Sequence, residues 1–154
     1  MTSAIRRLSG YRAAFMDSGL DFDHVPQVHG TFSVQSGYEA ASRLLRISPK
    51  RPTAILCMND RMAMGVIQRL NAEGLRVPDD VTVVGFDDIP GAEYFTPPLT
   101  TVRQPAHALG ASAMQMLFGL MDSKESFERE FPPVIFKPEL VIRQSAEIPK
   151  GGDV

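Results

Sequence analysis

The chain of 154 residues has no tryptophan and one cysteine, Cys57. No disulfide can form within it, which favours a reducing compartment. Charge of one sign is also missing: 16 Lys and Arg against 18 Asp and Glu leave a net charge of -2. Such a balance gives no overall electrostatic reason to bind nucleic acid or an anionic membrane. No segment approaches the ~18 consecutive apolar residues of a membrane-spanning helix. The opening MTSAIRRLSGYRAAF lacks the apolar centre of a secretion signal, so a cytoplasmic protein is expected. Catalytic signatures are absent too: there is no G-x-x-x-x-G-K-[ST], G-x-G-x-x-G, G-x-S-x-G or H-E-x-x-H. His24, His29 and His107 are scattered, without metal-ligand spacing alongside Cys57. Neither an enzyme, a metal nor a cofactor is expected.

What is present is one domain's worth of chain, 44% hydrophobic and 22% charged, with helical and extended patterns in alternation. Residues 4–18 place Ile5, Leu8, Ala14 and Phe15 at helical spacing and stop at Gly19; Val25–Val28 suits a short strand. Residues 34–47 read as a second helix capped by Ser33, and Pro49 and Pro52 fence it off from the next segment. The unbroken apolar run 54–58 suits a strand covered on both faces of a parallel sheet. A helix to about Glu73, a second buried strand at 81–86, a strand at Leu99–Arg103 and an apolar helix at 106–121 come next. Links this short between strand, helix and strand imply right-handed crossovers and parallel pairing. The segment 131–143, FPPVIFKPELVIR, reads as one or two extended strands broken by Pro138, and the tail 147–154 as frayed. Seven of the eight methionines, Met1 excepted, are most simply core or interface filler.

Both buried strands end abruptly on polar pairs, Asn59-Asp60 and Asp87-Asp88. In open parallel sheets ligands sit beyond the carboxyl ends of the strands, so these side chains share one rim. An amide and carboxylates there can pair with the neighbouring hydroxyls of a polyol or with ring N–H groups. The plainer alternatives are that Asn59 caps its helix, Asp60 sits at that helix's positive end, and Asp87-Asp88 open a turn before Pro90. An acid pair after a strand can also serve a metal or phosphoryl enzyme, but no partner base or phosphate-cradling glycines accompany this one.

The run AILCMNDRMAMGVIQRLNAEGLRVPDDVTVVGFDD, followed by PPLTTVRQPAHALG and ending KPELVIRQS, resembles the lactose-repressor/galactose-repressor family of bacterial transcription regulators. The resemblance runs from IRRLSGYRAAF to ELVIRQS, and its specificity lies in the ordered succession of four motifs. It implies an α/β, periplasmic-binding-protein-like core whose mostly parallel sheet is flanked by helices, with a small effector, often a sugar and sometimes a nucleobase, bound between two lobes. Carried over by motif, the effector contacts are Arg7 of RRLSGY, Phe32 of GTFSVQSGY, Asn59 of MNDR, Asp87 of GFDD and Gln104 of VRQP. An arginine fork, a carboxylate, an amide and an aromatic face make a small amphipathic pocket. Arg7 can equally be a solvated helix charge, and Phe32 a core residue.

On this resemblance residues 1–104 form the second lobe of the core, 105–124 a helix that packs on the first lobe, and 131–146 terminal strands returning to the second lobe. The first lobe, the hinge helix and the helix-turn-helix do not match any part of these 154 residues, so operator DNA would be reached only through that missing region. An apolar 106–121 helix without its lobe implies self-association, through the family's homodimer surface or by exchange of this segment between chains. Half a pocket should bind its effector weakly or not at all. The alternative reading is a fragment of a periplasmic-type sugar solute-binding protein, which would require a secretion signal.

Overall fold

The computed structural model describes residues 2–122 and 133–146. Its helices are α1 (Thr2–Asp17), α2 (Val34–Ile47), α3 (Asp60–Ala72) and α4 (Ala106–Asp122); its strands are β1 (Ala54–Leu56), β2 (Thr82–Val84), β3 (Thr101–Arg103) and β4 (Glu139–Val141). Each helix lies where apolar spacing and end signals place it. Ser33 caps α2 reciprocally with Ser36, and Asn59 caps α3 through the Met62 N–H.

The sheet is parallel where crossovers join it. β1 runs parallel to β2, with Ala54 opposite Thr82 and Leu56 opposite Val84. Bridges at Val84–Thr100 and Asp87–Arg103 continue the parallel pairing from β2 to β3, and the N–H groups of Gly85 and Asp87 donate to the carbonyls of Thr100 and Val102 at 2.9 Å. β4 then returns antiparallel to β3. Ser145, fully buried, fastens the segment after β4: its hydroxyl donates to the Val83 carbonyl and accepts the Thr100 N–H, both at 2.7 Å.

The core lies between the sheet and the α2–α3 pair, and includes Ala41, Ile55, Val66, Ile67, Leu70, Val81, Val83 and Leu99. The two helices cross at glycines. A Cβ on Gly65 would lie 1.9 Å from the Val34 carbonyl oxygen, and one on Gly37 would lie 2.1 Å from that of Met62. Only a missing side chain lets the backbones approach so closely.

Three sequence expectations need correction. The 54–58 run is not covered on both faces: only Ala54–Leu56 is strand, Ala54 is exposed, and Leu56 is 44% exposed. β1 pairs with β2 alone among the described residues, so its other edge is open. For the same reason Val25–Val28 is irregular chain, since extended residues need a partner to become a strand. Of the expected 131–143 strands, only Glu139–Val141 forms; residues 131–132 and the tail 147–154 lie outside the described residues.

α4 carries no charged residue before Asp122, and it leaves Leu109, Met114, Leu117, Phe118 and Met121 between 41% and 72% exposed. No helix among the described residues is long and apolar enough to cross a membrane.

Candidate functional site

The carboxyl rim of the sheet begins with α3, whose first turn meets the ends of β1 and β2. Asp60 is fully buried there. Its own N–H donates to the Phe86 carbonyl at 2.9 Å, while its carboxylate accepts the Thr101 hydroxyl at 2.5 Å and the Ile89 N–H at 2.8 Å. Gly85 leaves it room: a Cβ at that position would stand 2.2 Å from Asp60 Oδ1. Burial pushes the Asp60 pKa up, against the two hydrogen bonds and with help from the charges of Asp87 and Asp88. Asp60 is thus a structural pin between α3, β3 and the rim loop.

Five residues are expected at the effector site, and contacts join them in two groups, Arg7–Asp87–Gln104 and Asn59–Phe32. Arg7, from α1, donates to the Met58 carbonyl and reaches Asp87 Oδ1 at 3.4 Å. Its guanidinium lies over the Phe86 ring, 3.8 Å from the centroid, with the side chain only 15% exposed. Arg7 is therefore no freely solvated helix charge. Gln104, just past β3, donates from Nε2 to the same Asp87 Oδ1 at 2.6 Å. Asn59 accepts the Met62 N–H at 2.9 Å and donates to the Phe32 carbonyl at 3.0 Å. It caps α3 and anchors the loop before α2 at once. Phe32 sits on that loop at φ 62° and 43% exposed, so its ring is not a core group.

Asp87 and Asp88 both occupy the left-handed region, at φ 114° and 53°. Each such non-glycine residue costs on the order of 1–3 kcal/mol and persists only where its surroundings over-determine it. Asp88 is gripped by Arg103 at 2.7 Å and Arg143 at 2.8 Å and is 8% exposed. Burial pushes its pKa up, but the hydrogen bonds and charges of Arg143 and Arg103 outweigh that and hold it below the usual carboxylate value.

Asp87 differs. It is 30% exposed, and both side-chain partners seen among the described residues, Arg7 and Gln104, share Oδ1. Among the described residues Oδ2 has no hydrogen-bond partner, which leaves it as an acceptor for a ligand. The pairing of Asp87 with Arg7 suits a ligand offering adjacent donors and acceptors, such as the vicinal hydroxyls of a sugar.

Sequence reasoning missed two neighbours. Tyr11 lies one helical turn after Arg7 and is close enough to Cys57 and Arg7 to feel both; burial first, then the Cys57 charge, raise its pKa, with Arg7 opposing. Its i, i+4 spacing from Arg7 was the available signal. Phe86 left no signal, because its position in the apolar run 81–86 reads simply as core. Two surface concavities, about 390 Å³ beside Arg46, Arg51 and Arg69 and about 200 Å³ beside His29 and Ser33, include none of the five residues.

Residues 1–146 match the family model for the periplasmic binding protein-like domain. The chain is 39% identical over 141 residues to the HTH-type transcriptional repressor PurR of Vibrio campbellii, covering 92% of itself and 41% of that protein. It is 40% identical over 141 residues to PurR of Photobacterium profundum, with the same coverage. Among solved structures, the transcriptional regulator CelR–cellobiose complex superposes with a TM-score of 0.84 at 32% identity, over 92% of this chain and 42% of that one. A LacI family transcriptional regulator from Enterococcus faecium with bound ribose gives 0.82 at 28% identity, over 92% of this chain and 51% of that one. The chain belongs to the periplasmic binding protein-like domain family, and the resemblance to lactose-repressor/galactose-repressor regulators seen in its motifs holds. It spans about two fifths of the length of the curated relatives it matches.

Proposed function

We propose that this chain forms one wall of the effector cleft of a LacI/GalR-type transcription regulator, with a sugar or similar small polar molecule as ligand. The observation that carries the reading is Asp87, a partly exposed carboxylate at the strand end whose Oδ1 is held by Arg7 and Gln104, with no partner for Oδ2 among the described residues. Arg7, Asp87 and Gln104 supply the charged and amide contacts, Asn59 one N–H, and Phe32 an apolar face. Similar regulators whose solved structures hold cellobiose and ribose make saccharides the first class to try.

The role is sensing, without catalysis. Effector binding would shift the orientation of two lobes and so the presentation of DNA-binding heads, with operator contacts made by parts of such a regulator outside the matched region. The apolar face of α4 would pack on the first lobe, and in its absence would drive self-association, as a homodimer in a cytoplasmic setting.

The test is calorimetric titration with D-ribose and cellobiose. One wall of a cleft should bind with a Kd of roughly millimolar order, about -4 kcal/mol. Asp87→Asn should weaken binding ~10-fold or more, the value of a charge-assisted hydrogen bond. Equal binding by wild type and Asp87→Asn would move the site elsewhere.

A further inference from the structure

The left-handed pair Asp87-Asp88 lies opposite Arg103-Gln104, and each member of one pair contacts one member of the other. Gln104 Nε2 donates to Asp87 Oδ1 at 2.6 Å, and Arg103 Nε donates to Asp88 Oδ2 at 2.7 Å. Between these two side-chain contacts the main chain is joined as well, by the Asp87 N–H on the Val102 carbonyl. The result is a ladder that continues the β2–β3 pairing past the ends of both strands. It stops one residue short of Pro105 and the start of α4.

One rung is much better fixed than the other. Asp88 Oδ2 takes Arg103 and Oδ1 takes Arg143 Nη1 at 2.8 Å, and Arg143 Nη1 also donates to the Leu99 carbonyl at 2.8 Å. Arg143 is itself tied by its N–H to Thr100 Oγ1. The Asp87 rung, by contrast, is partly open to solvent.

We propose that Asp88 is a positioning residue of the effector site: by gripping Arg103 and Arg143 it holds Asp87 in its left-handed conformation and keeps the Gln104 amide on Asp87 Oδ1. This rests on the effector reading of Asp87. It assigns the adjacent acids separate tasks, Asp87 facing the ligand and Asp88 facing the fold. It also makes the approach to α4 answer to the same anchor, because Gln104 leads into Pro105 and Ala106.

The test uses the ligand-free chain. In Asp88→Asn one arginine loses its carboxylate oxygen, so the Asp87 amide should exchange roughly tenfold faster through local opening. The Gln104 side-chain amide signals should move toward those of a free glutamine, while the Leu70 and Val83 amides keep their protection. A purely structural Asp88 would instead raise exchange evenly across the core and leave the Gln104 signals in place, which would overturn the proposal.

Acid titration of the wild type supplies a second readout should the variant fail to fold. The Gln104 signals should move together with the Arg103 Nε signal, which reports the Asp88 carboxyl as it protonates below the ordinary carboxylate range, with Arg103, Arg143, Asp60, Asp87 and, behind Arg103, Glu139 as the surrounding charges. Signals unchanged until global unfolding would count against it. Because neither readout involves a saccharide, a failed ladder leaves the effector site standing. Failed ribose and cellobiose binding with an intact ladder would sink only the effector reading.

Discussion

Asp60 and Asp88 are each defined by partners far along the chain: Thr101 for Asp60, Arg103 and Arg143 for Asp88. The sequence shows only that polar side chains end both apolar runs, because these partners are distant in one dimension. Truncating Asp60→Ala would leave the Ile89 N–H and the Thr101 hydroxyl without an acceptor. It should cost about 2–3 kcal/mol in urea unfolding, the penalty of unsatisfied buried groups. Asp88 predicts a particular acid dependence. Its carboxyl titrates below the unfolded value of 3.8, so its stabilisation is present above that value and is lost as pH falls through the lower folded value. Asp88→Asn lacks that titration, and the stability gap between it and the wild type should close on acidification over that window. Cys57 makes a third case. Burial, with the Asp60 charge adding, pushes its thiol pKa to about 12. A disulfide reagent at neutral pH should therefore modify it only at the rate at which the protein opens.

At the scale of elements, helices were the most readable part, because α2 and α3 each carry periodic apolar faces and a cap that the sequence shows directly. Their close crossing was not readable, since it depends on Gly37 and Gly65 meeting the other helix's backbone. Gly65→Ala must push α2 off α3, and strain of this kind costs about 1–3 kcal/mol or more, measurable as a lowered denaturation midpoint with an unchanged slope. The strands misled for a physical reason. An apolar run announces that burial is wanted without saying whether its neighbours are at hand, and β1 has one described neighbour where a central parallel strand has two. α4 poses the same question in helical form. Replacing Leu117 and Met121 with glutamine should barely change the stability of a chain that leaves them exposed, within ~0.5 kcal/mol. It should nevertheless reduce self-association in sedimentation experiments.

For the molecule as a whole, the described residues show an open edge at β1, exposed apolar side chains on α4 and a polar rim at the strand ends. On the proposed reading this rim is an effector wall built on Asp87. The most direct measurement is a nitrogen–proton NMR titration of the chain with D-ribose and with cellobiose into the ~100 mM range, where a Kd of millimolar order saturates. An effector wall predicts saturable shifts centred on Arg7, Phe32, Asn59, Asp87 and Gln104 for at least one of the two, abolished by Asp87→Asn. Shifts absent for both sugars, or centred on the Arg46–Arg51–Arg69 concavity instead, would contradict it.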